Sequence, residues 1–144
     1  MILYHAIKGV DEDENPDPTS AELIRLIGQN CHSIVANEEV RQRYERHLRG
    51  LFAKPALLTQ AVNFVTEIFY NSSKFFLEKS PAPELPAGVK VPKEDIYVVR
   101  AALLSRPTLV TTETGLRNAV NKQHELLNLT ALAPKDAIEL AKDM

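Results

Sequence analysis

The stretch Val91–Leu116, VPKEDIYVVRAALLSRPTLVTTETGL, decides the fold, because it predicts a helix, a tight connection, a buried strand and the start of a second helix. Pro107 ends the first helix, since a proline disfavours helical geometry in the residue before it. The short β-prone run at residues 108–111 is the predicted strand. Apolar residues at three- and four-residue spacing form the buried stripe of the first helix: Ile96, Val99, Ala102 and Leu103.

Two acidic residues of this stretch stand at the ends of its elements. Asp95 lies in the first turn of the predicted helix, and Glu113 follows the carboxyl end of the predicted strand. Ligands of an open parallel sheet bind outside the strand ends, so we expect Asp95 and Glu113 to share a cleft and form a candidate metal site. The alternative is that each carboxylate only opposes the positive end of a helix dipole.

Composition limits the class of protein. The chain has 144 residues and a formal net charge of -2, which predicts one domain over residues 1–144 without a global positive field for nucleic acid. Any contact with RNA therefore depends on a local patch. The one cysteine, Cys31, excludes an intramolecular disulfide, and no apolar run approaches the roughly 20 residues that a bilayer crossing needs. We expect a cytoplasmic protein with no membrane association.

Helical patterns alternate with short apolar runs along the rest of the chain. This order predicts an α/β fold with three layers, in which helices cover both faces of a mostly parallel central sheet. Residues 2–7 fit either the end of a strand or the first turn of a helix, and the proline-rich segment 80–92 is predicted to be a surface linker. The other predicted strands are 32–36 and 127–132, and the other predicted helices are 20–28, 38–52, 55–79, 114–124 and 135–143.

The helix predicted at 38–52 carries arginines on the face opposite its apolar stripe. Arg43 and Arg49 are candidates for binding phosphates. In the alternative, the face is solvated and its arginines pair with glutamates one turn away, an interpretation that we favour for Arg41 and Arg46. The aromatic-rich segment 64–76 fits either core packing or the interface of a homodimer.

Together these elements resemble a PIN domain, the metal-dependent nuclease fold found in many prokaryotic toxin ribonucleases. The resemblance extends over nearly the whole chain. Asp95 with Val99, Ala101 and Ala102 resembles the acid-led helix of the family, and LVTTE at 109–113 resembles its strand ending in Val-Thr-x-Asp. Three further segments resemble the step after the opening Asp-x-Asn, the second helix and the closing strand-to-helix step: residues 2–6, 37–48 and 133–137.

The resemblance implies an endoribonuclease that uses Mg²⁺ or Mn²⁺ to hydrolyse phosphodiester bonds. Asp95 and Glu113 correspond to its catalytic and metal-binding acids, with the hydroxyls of Thr111 and Thr112 as supporting groups. Glu39 is a shifted substitute for the acid of the second helix. The implied partners are RNA, an antitoxin or other protein, and a second copy of the chain.

The chain departs from the family pattern at three positions. The opening aspartate would precede Met1, so the first strand is incomplete, and a start upstream of Met1 would restore it. Arg43 occupies the position of the helix glutamate, and Glu113 replaces an aspartate. Three hypotheses follow: a metal-dependent ribonuclease with an incomplete acidic site, a catalytically inactive PIN-like module that binds RNA or protein, and an unrelated small α/β interaction domain.

Overall fold

The computed structural model describes residues 2–105 and 108–142. Helices and short strands alternate along these residues, as the sequence predicts. The helices are α1 (Ile2–Lys8), α2 (Thr19–Gln29), α3 (Glu38–Phe52), α4 (Leu58–Phe64), α5 (Ile96–Ser105), α6 (Thr114–Lys122), α7 (His124–Leu127) and α8 (Pro134–Lys142). The strands are β1 (Ile34–Ala36), β2 (Phe75–Leu77), β3 (Thr108–Val110) and β4 (Thr130–Leu132). Single 3₁₀ turns span Pro55–Leu57 and Lys93–Asp95, and a π-helical turn spans Val65–Phe69.

The strands form two parallel pairs. β1 lies beside β2 with Ile34 opposite Phe75, and β3 lies beside β4 with Thr108 opposite Thr130. The mixed α/β class and the parallel strands are therefore confirmed. Where the sequence predicts one central sheet, the described residues form two sheets of two strands each.

Each strand pair has its own hydrophobic core. The first core joins β1 and β2 to α1, α3, α4 and the π-helical turn, and the second joins β3 and β4 to α5, α6 and α7. A third, smaller cluster lies between α2 and α8. α5 packs against both large cores, since Tyr97 and Ala101 contact the first while Val99, which is fully buried, belongs to the second.

The prediction of one long helix over residues 55–79 is wrong. The segment divides into a 3₁₀ turn, α4, a π-helical turn and β2. Asn71 is the physical reason, because its side-chain oxygen accepts hydrogen bonds from the backbone N–H of Ser73 at 3.1 Å and from its hydroxyl at 2.7 Å. This local turn ends the helical segment, and the aromatic residues after it pair with β1 instead.

Several helix boundaries follow local signals. Asn37 caps α3 as its residue type predicts, with its side chain accepting from the N–H of Val40 at 3.0 Å. Thr19 and Ser20, whose residue types favour a capping position, instead lie inside α2, and the N–H of Thr19 donates to the carboxylate of Asp17 at 2.9 Å. Residues 2–7 are helical, and the linker 80–92 has neither helix nor strand.

α5 is described as far as Ser105, and its predicted stop at Arg106 and Pro107 lies outside the described residues. Met1 and the last residue of the predicted closing helix also lie outside them. Among the described residues, none of the helices combines the length and apolarity that a bilayer crossing requires.

Candidate metal and phosphate site

The connection between β3 and α6 fixes the position of Glu113. After β3, the N–H of Thr111 continues the ladder by donating to the carbonyl of Leu132 at 3.1 Å. The Thr111 hydroxyl then accepts from the N–H of Glu113 at 3.2 Å, so the chain turns and Glu113 becomes the residue that precedes α6. These hydrogen bonds fix the backbone that carries the Glu113 carboxylate just after the end of β3.

The charge of Glu113 contributes to the pKa of Asp95. Asp95 occupies the last position of the 3₁₀ turn before α5 and is half-buried. Burial raises the pKa of Asp95 above its ordinary value, and the negative charges of Glu113 and Glu94 raise it further. Asp95 and Glu113, which are separated along the chain by α5 and β3, therefore influence each other electrostatically in the folded chain.

His5 is a site residue that the sequence analysis does not single out. It lies in α1, is buried with 8% of its surface exposed, and its Nδ1 lies 2.7 Å from the hydroxyl oxygen of Thr112. Burial lowers the pKa of His5, and the charges of Glu14, Glu113 and Asp11 act in the opposite direction. The signal in the sequence that could have identified His5 is its position as a polar residue within a largely apolar terminal segment.

The two threonines have structural partners. The Thr111 hydroxyl contacts the backbone of Glu113, and the Thr112 hydroxyl contacts His5. Both residues are buried. Thr111 therefore stabilises the turn that carries Glu113, while Thr112 connects that turn to α1 through His5.

Arg43 lies on α3 beside Tyr97 of α5. The guanidinium carbon is 3.8 Å from the centroid of the Tyr97 ring, and Nη2 is 3.5 Å from a carboxylate oxygen of Glu39. Burial raises the pKa of Tyr97, the positive charge of Arg43 opposes that rise, and the charges of Asp95, Glu113 and Glu39 add to it. Tyr97 is therefore affected both by Arg43 and Glu39 of α3 and by Asp95 and Glu113.

Two other arginines of α3, Arg41 and Arg49, form ion pairs with glutamates of the same helix. Arg41 lies 2.5 Å from Glu38 and 3.1 Å from Glu45, which confirms the pairing expected for it. Arg49 also contacts Glu45, at 3.4 Å, and its side chain is 74% exposed. The described contacts thus place Arg43 against Tyr97 and Glu39, and Arg49 against Glu45.

The donor set suits a weakly held, hydrated divalent ion. No group of three or more acidic, histidine or cysteine side chains within residues 2–105 and 108–142 is arranged to enclose a metal. Mg²⁺, however, commonly keeps several waters and is bound through one or two carboxylates together with a substrate phosphate. Asp95 and Glu113 are the two carboxylates that such an arrangement would use. Burial raises the pKa of Asp95, the charges of Glu113 and Glu94 raise it further, and a bound cation would oppose those charges.

Comparisons with protein-family models, with curated proteins and with solved structures found no match to this chain.

Proposed function

We propose that the protein is a PIN-like domain in which Asp95 and Glu113 form a partial Mg²⁺- or Mn²⁺-dependent site for cleaving RNA. The proposal is supported by the resemblance of residues 95–113 to the acid-led helix and strand of the PIN family, with Asp95 in the turn before α5 and Glu113 directly before α6. Burial raises the pKa of Asp95, and the negative charge of Glu113 raises it further. Bringing two like charges together in a partly desolvated place costs free energy, and a cation bound between them would offset that cost. A three-layer, PIN-like arrangement, a cytoplasmic location and an antitoxin or homodimer partner belong to the same proposal.

In this proposal each described side chain has a separate task. Asp95 and Glu113 bind the ion, which when bound supplies a Lewis acid for hydrolysis of a phosphodiester. Arg43, held against Tyr97, contacts the phosphate of the RNA. His5 fixes the turn that carries Glu113 through its contact with the hydroxyl of Thr112.

The first test is binding of Mn²⁺, followed by isothermal titration calorimetry. We expect one weak site that is lost in Asp95→Asn and in Glu113→Gln. Glu94→Gln is the matched control, because Glu94 is the exposed neighbour of Asp95 and has no assigned ligand role. Retention of the same affinity in both site variants would show that the ion binds elsewhere.

The second test is cleavage of a single-stranded RNA oligonucleotide labelled at its 5′ end. The unmodified chain should cleave the RNA with Mn²⁺ and not with EDTA, and Asp95→Asn should remove that cleavage while Glu94→Gln keeps it. If the purified chain shows no metal-dependent cleavage that Asp95→Asn abolishes, the protein is not an enzyme of this type.

A second candidate function is a catalytically inactive PIN-like module that binds RNA or protein. The stacked Arg43 favours it, because its positive charge pairs with Glu39, the shifted substitute for the acid of the second helix, and competes with a metal ion for that carboxylate. The test is fluorescence anisotropy of a labelled RNA in EDTA. Binding that is lost in Arg43→Gln but kept in Arg25→Gln, whose arginine pairs with Glu22 on exposed α2, supports this module.

A further inference from the structure

The N-terminus of α6 is capped by a residue from a distant part of the chain. Glu113 occupies the position before the helix, but its side chain makes no capping hydrogen bond within the described part of the chain. The carboxylate of Glu12 supplies the acceptor instead. Its Oε2 accepts from the N–H of Thr114 at 3.0 Å, and its Oε1 accepts from the Thr114 hydroxyl at 2.5 Å. The two residues are 102 positions apart, so the cap is a tertiary contact.

Glu12 stands in a tight loop whose shape is set by its own hydrogen bonds. An isolated antiparallel bridge joins Val10 to Pro16 and closes the loop. The N–H of Asp11 donates to the carbonyl of Asn15 at 2.9 Å, and the Asp11 carboxylate accepts from the N–H of Asn15, also at 2.9 Å. These bonds restrict the backbone that carries Glu12, which lowers the entropy cost of its contact with α6.

Both chain neighbours of Glu113 contact the N-terminal part of the chain. Thr112, which precedes it, lies with its hydroxyl oxygen 2.7 Å from Nδ1 of His5 in α1. Thr114, which follows it, is bound by Glu12. The backbone on either side of Glu113 is therefore attached to the first twelve residues of the chain.

The ionised form of Glu12 is the one that makes this contact. The hydrogen bonds from the hydroxyl and the N–H of Thr114 lower the pKa of Glu12, and the positive charge of Arg117 lowers it further, while desolvation acts in the opposite direction. Arg117 also donates to the Thr114 hydroxyl oxygen at 3.1 Å and to the carbonyl of Thr111 at 2.8 Å. A negative charge at the N-terminus of a helix is favourable, so Glu12 stabilises the first turn of α6.

We propose that Glu12 is a positioning residue of the candidate site, which caps α6 and thereby holds the backbone from which Glu113 extends its carboxylate to a divalent ion. This inference rests on the proposed function, in which Glu113 binds the ion. A carboxylate whose backbone is ordered in advance binds more tightly, because less conformational freedom is lost on binding. Glu12 thus contributes to ion binding without touching the ion.

The first arm of the test is amide hydrogen exchange of the metal-free chain, followed by NMR. In Glu12→Ala the N–H of Glu113, which donates to the Thr111 hydroxyl, should exchange about fivefold faster, because the turn opens more easily. The N–H of Thr111, which donates to Leu132 in β4, should keep its rate. Glu12→Gln removes the same charge but keeps an oxygen acceptor, so the exchange of Glu113 should stay within about twofold of the unmodified chain.

The second arm is the affinity for Mn²⁺, measured by isothermal titration calorimetry. Glu12→Ala should weaken binding about fivefold, and Glu12→Gln should restore most of that loss. Asp13→Ala is the matched control, because it removes an equal charge from the same exposed loop and keeps the backbone N–H that donates to Asp11 at 2.9 Å. It should bind Mn²⁺ as the unmodified chain does.

A second variant keeps the test decisive if Glu12→Ala does not fold, as judged by circular dichroism. Thr114→Val removes the hydroxyl contact with Glu12 and keeps the N–H contact. It should accelerate exchange of the Glu113 N–H by about twofold to threefold and again leave the N–H of Thr111 unchanged.

Three results would overturn the proposal. Equal exchange of the Glu113 N–H in Glu12→Ala and Glu12→Gln would show that the contact does not hold the turn. Acceleration of the Thr111 N–H by the same factor would show a general loss of stability, and an unchanged Mn²⁺ affinity in Glu12→Ala would show that the cap has no effect on the ion. If the unmodified chain itself binds no Mn²⁺, the proposed function fails, and the exchange rates alone decide whether Glu12 fixes the position of Glu113.

Discussion

The guanidinium carbon of Arg43 lies 3.8 Å from the centroid of the Tyr97 ring, which joins α3 to α5 by a cation–π contact. Glu39, one turn earlier on α3, lies 3.5 Å from the same guanidinium and holds it over the ring. The contact connects a helix of the first core to the helix that packs against both cores.

The strength of this contact is measurable by a double-mutant cycle. Arg43→Gln and Tyr97→Leu should each destabilise the chain, and the coupling between them should be about 0.5–1 kcal/mol, as for partly exposed cation–π pairs. Urea unfolding of the two single variants and the double variant supplies the values. Strict additivity would show that the contact does not contribute to stability.

Asp95→Asn should stabilise the folded chain at neutral pH. Because the folded state raises the pKa of Asp95, the folded chain binds its proton more tightly, and this contribution to stability is lost as pH rises through the folded-state pKa. Asparagine removes the ionised form, so the free energy of unfolding should rise by on the order of 0.5 kcal/mol after solvent screening. Urea unfolding at pH 7 and at pH 3 measures it, and the gain should be absent at pH 3.

The stability of the chain should fall below about pH 6.5 because of His5. Burial lowers the pKa of this residue from 6.5, so its proton binds more tightly in the unfolded chain. The resulting loss of folding stability begins as pH falls through 6.5 and levels off below the folded-state pKa of His5. The measurement is urea unfolding at pH 8 and pH 5.5 for the unmodified chain and for His5→Gln. A pH dependence that is unchanged in His5→Gln would assign it to other groups.

Asn121→Ala should destabilise the chain by about 1–2 kcal/mol, because it leaves the N–H and C=O of Ala131 without their side-chain partner. The quantity to measure is the midpoint of thermal unfolding. Asn118→Ala is the control, since Asn118 lies on the same helix α6 and is exposed. Equal effects of the two substitutions on the unfolding midpoint would mean that the hydrogen bonds to Ala131 do not contribute to stability.

Local signals in the sequence predict most of the helices and strands, but not which of them contact one another in the folded chain. Asn37 predicts its own cap, and the stretch from Val91 to Leu116 has a turn, a helix, a strand and a second helix in the expected order. β2 was missed because Phe75 and Phe76 continue an apolar pattern that also fits a helix, and the turn at Asn71 was overlooked. The contact between His5 and Thr112 joins residues 107 positions apart, a separation that no local pattern encodes.

Within the described part of the chain the two strand pairs share no ladder, and this affects how the protein opens. The backbone bonds of each pair close without the other, so the half around β1 and β2 and the half around β3 and β4 are expected to fluctuate as separate cooperative units, each with its own opening free energy. α5 connects the two halves, because Tyr97 and Ala101 pack on one core while Val99 and Ala102 pack on the other. Limited proteolysis should therefore release large, discrete fragments, and substitutions in α5 should affect both halves at once.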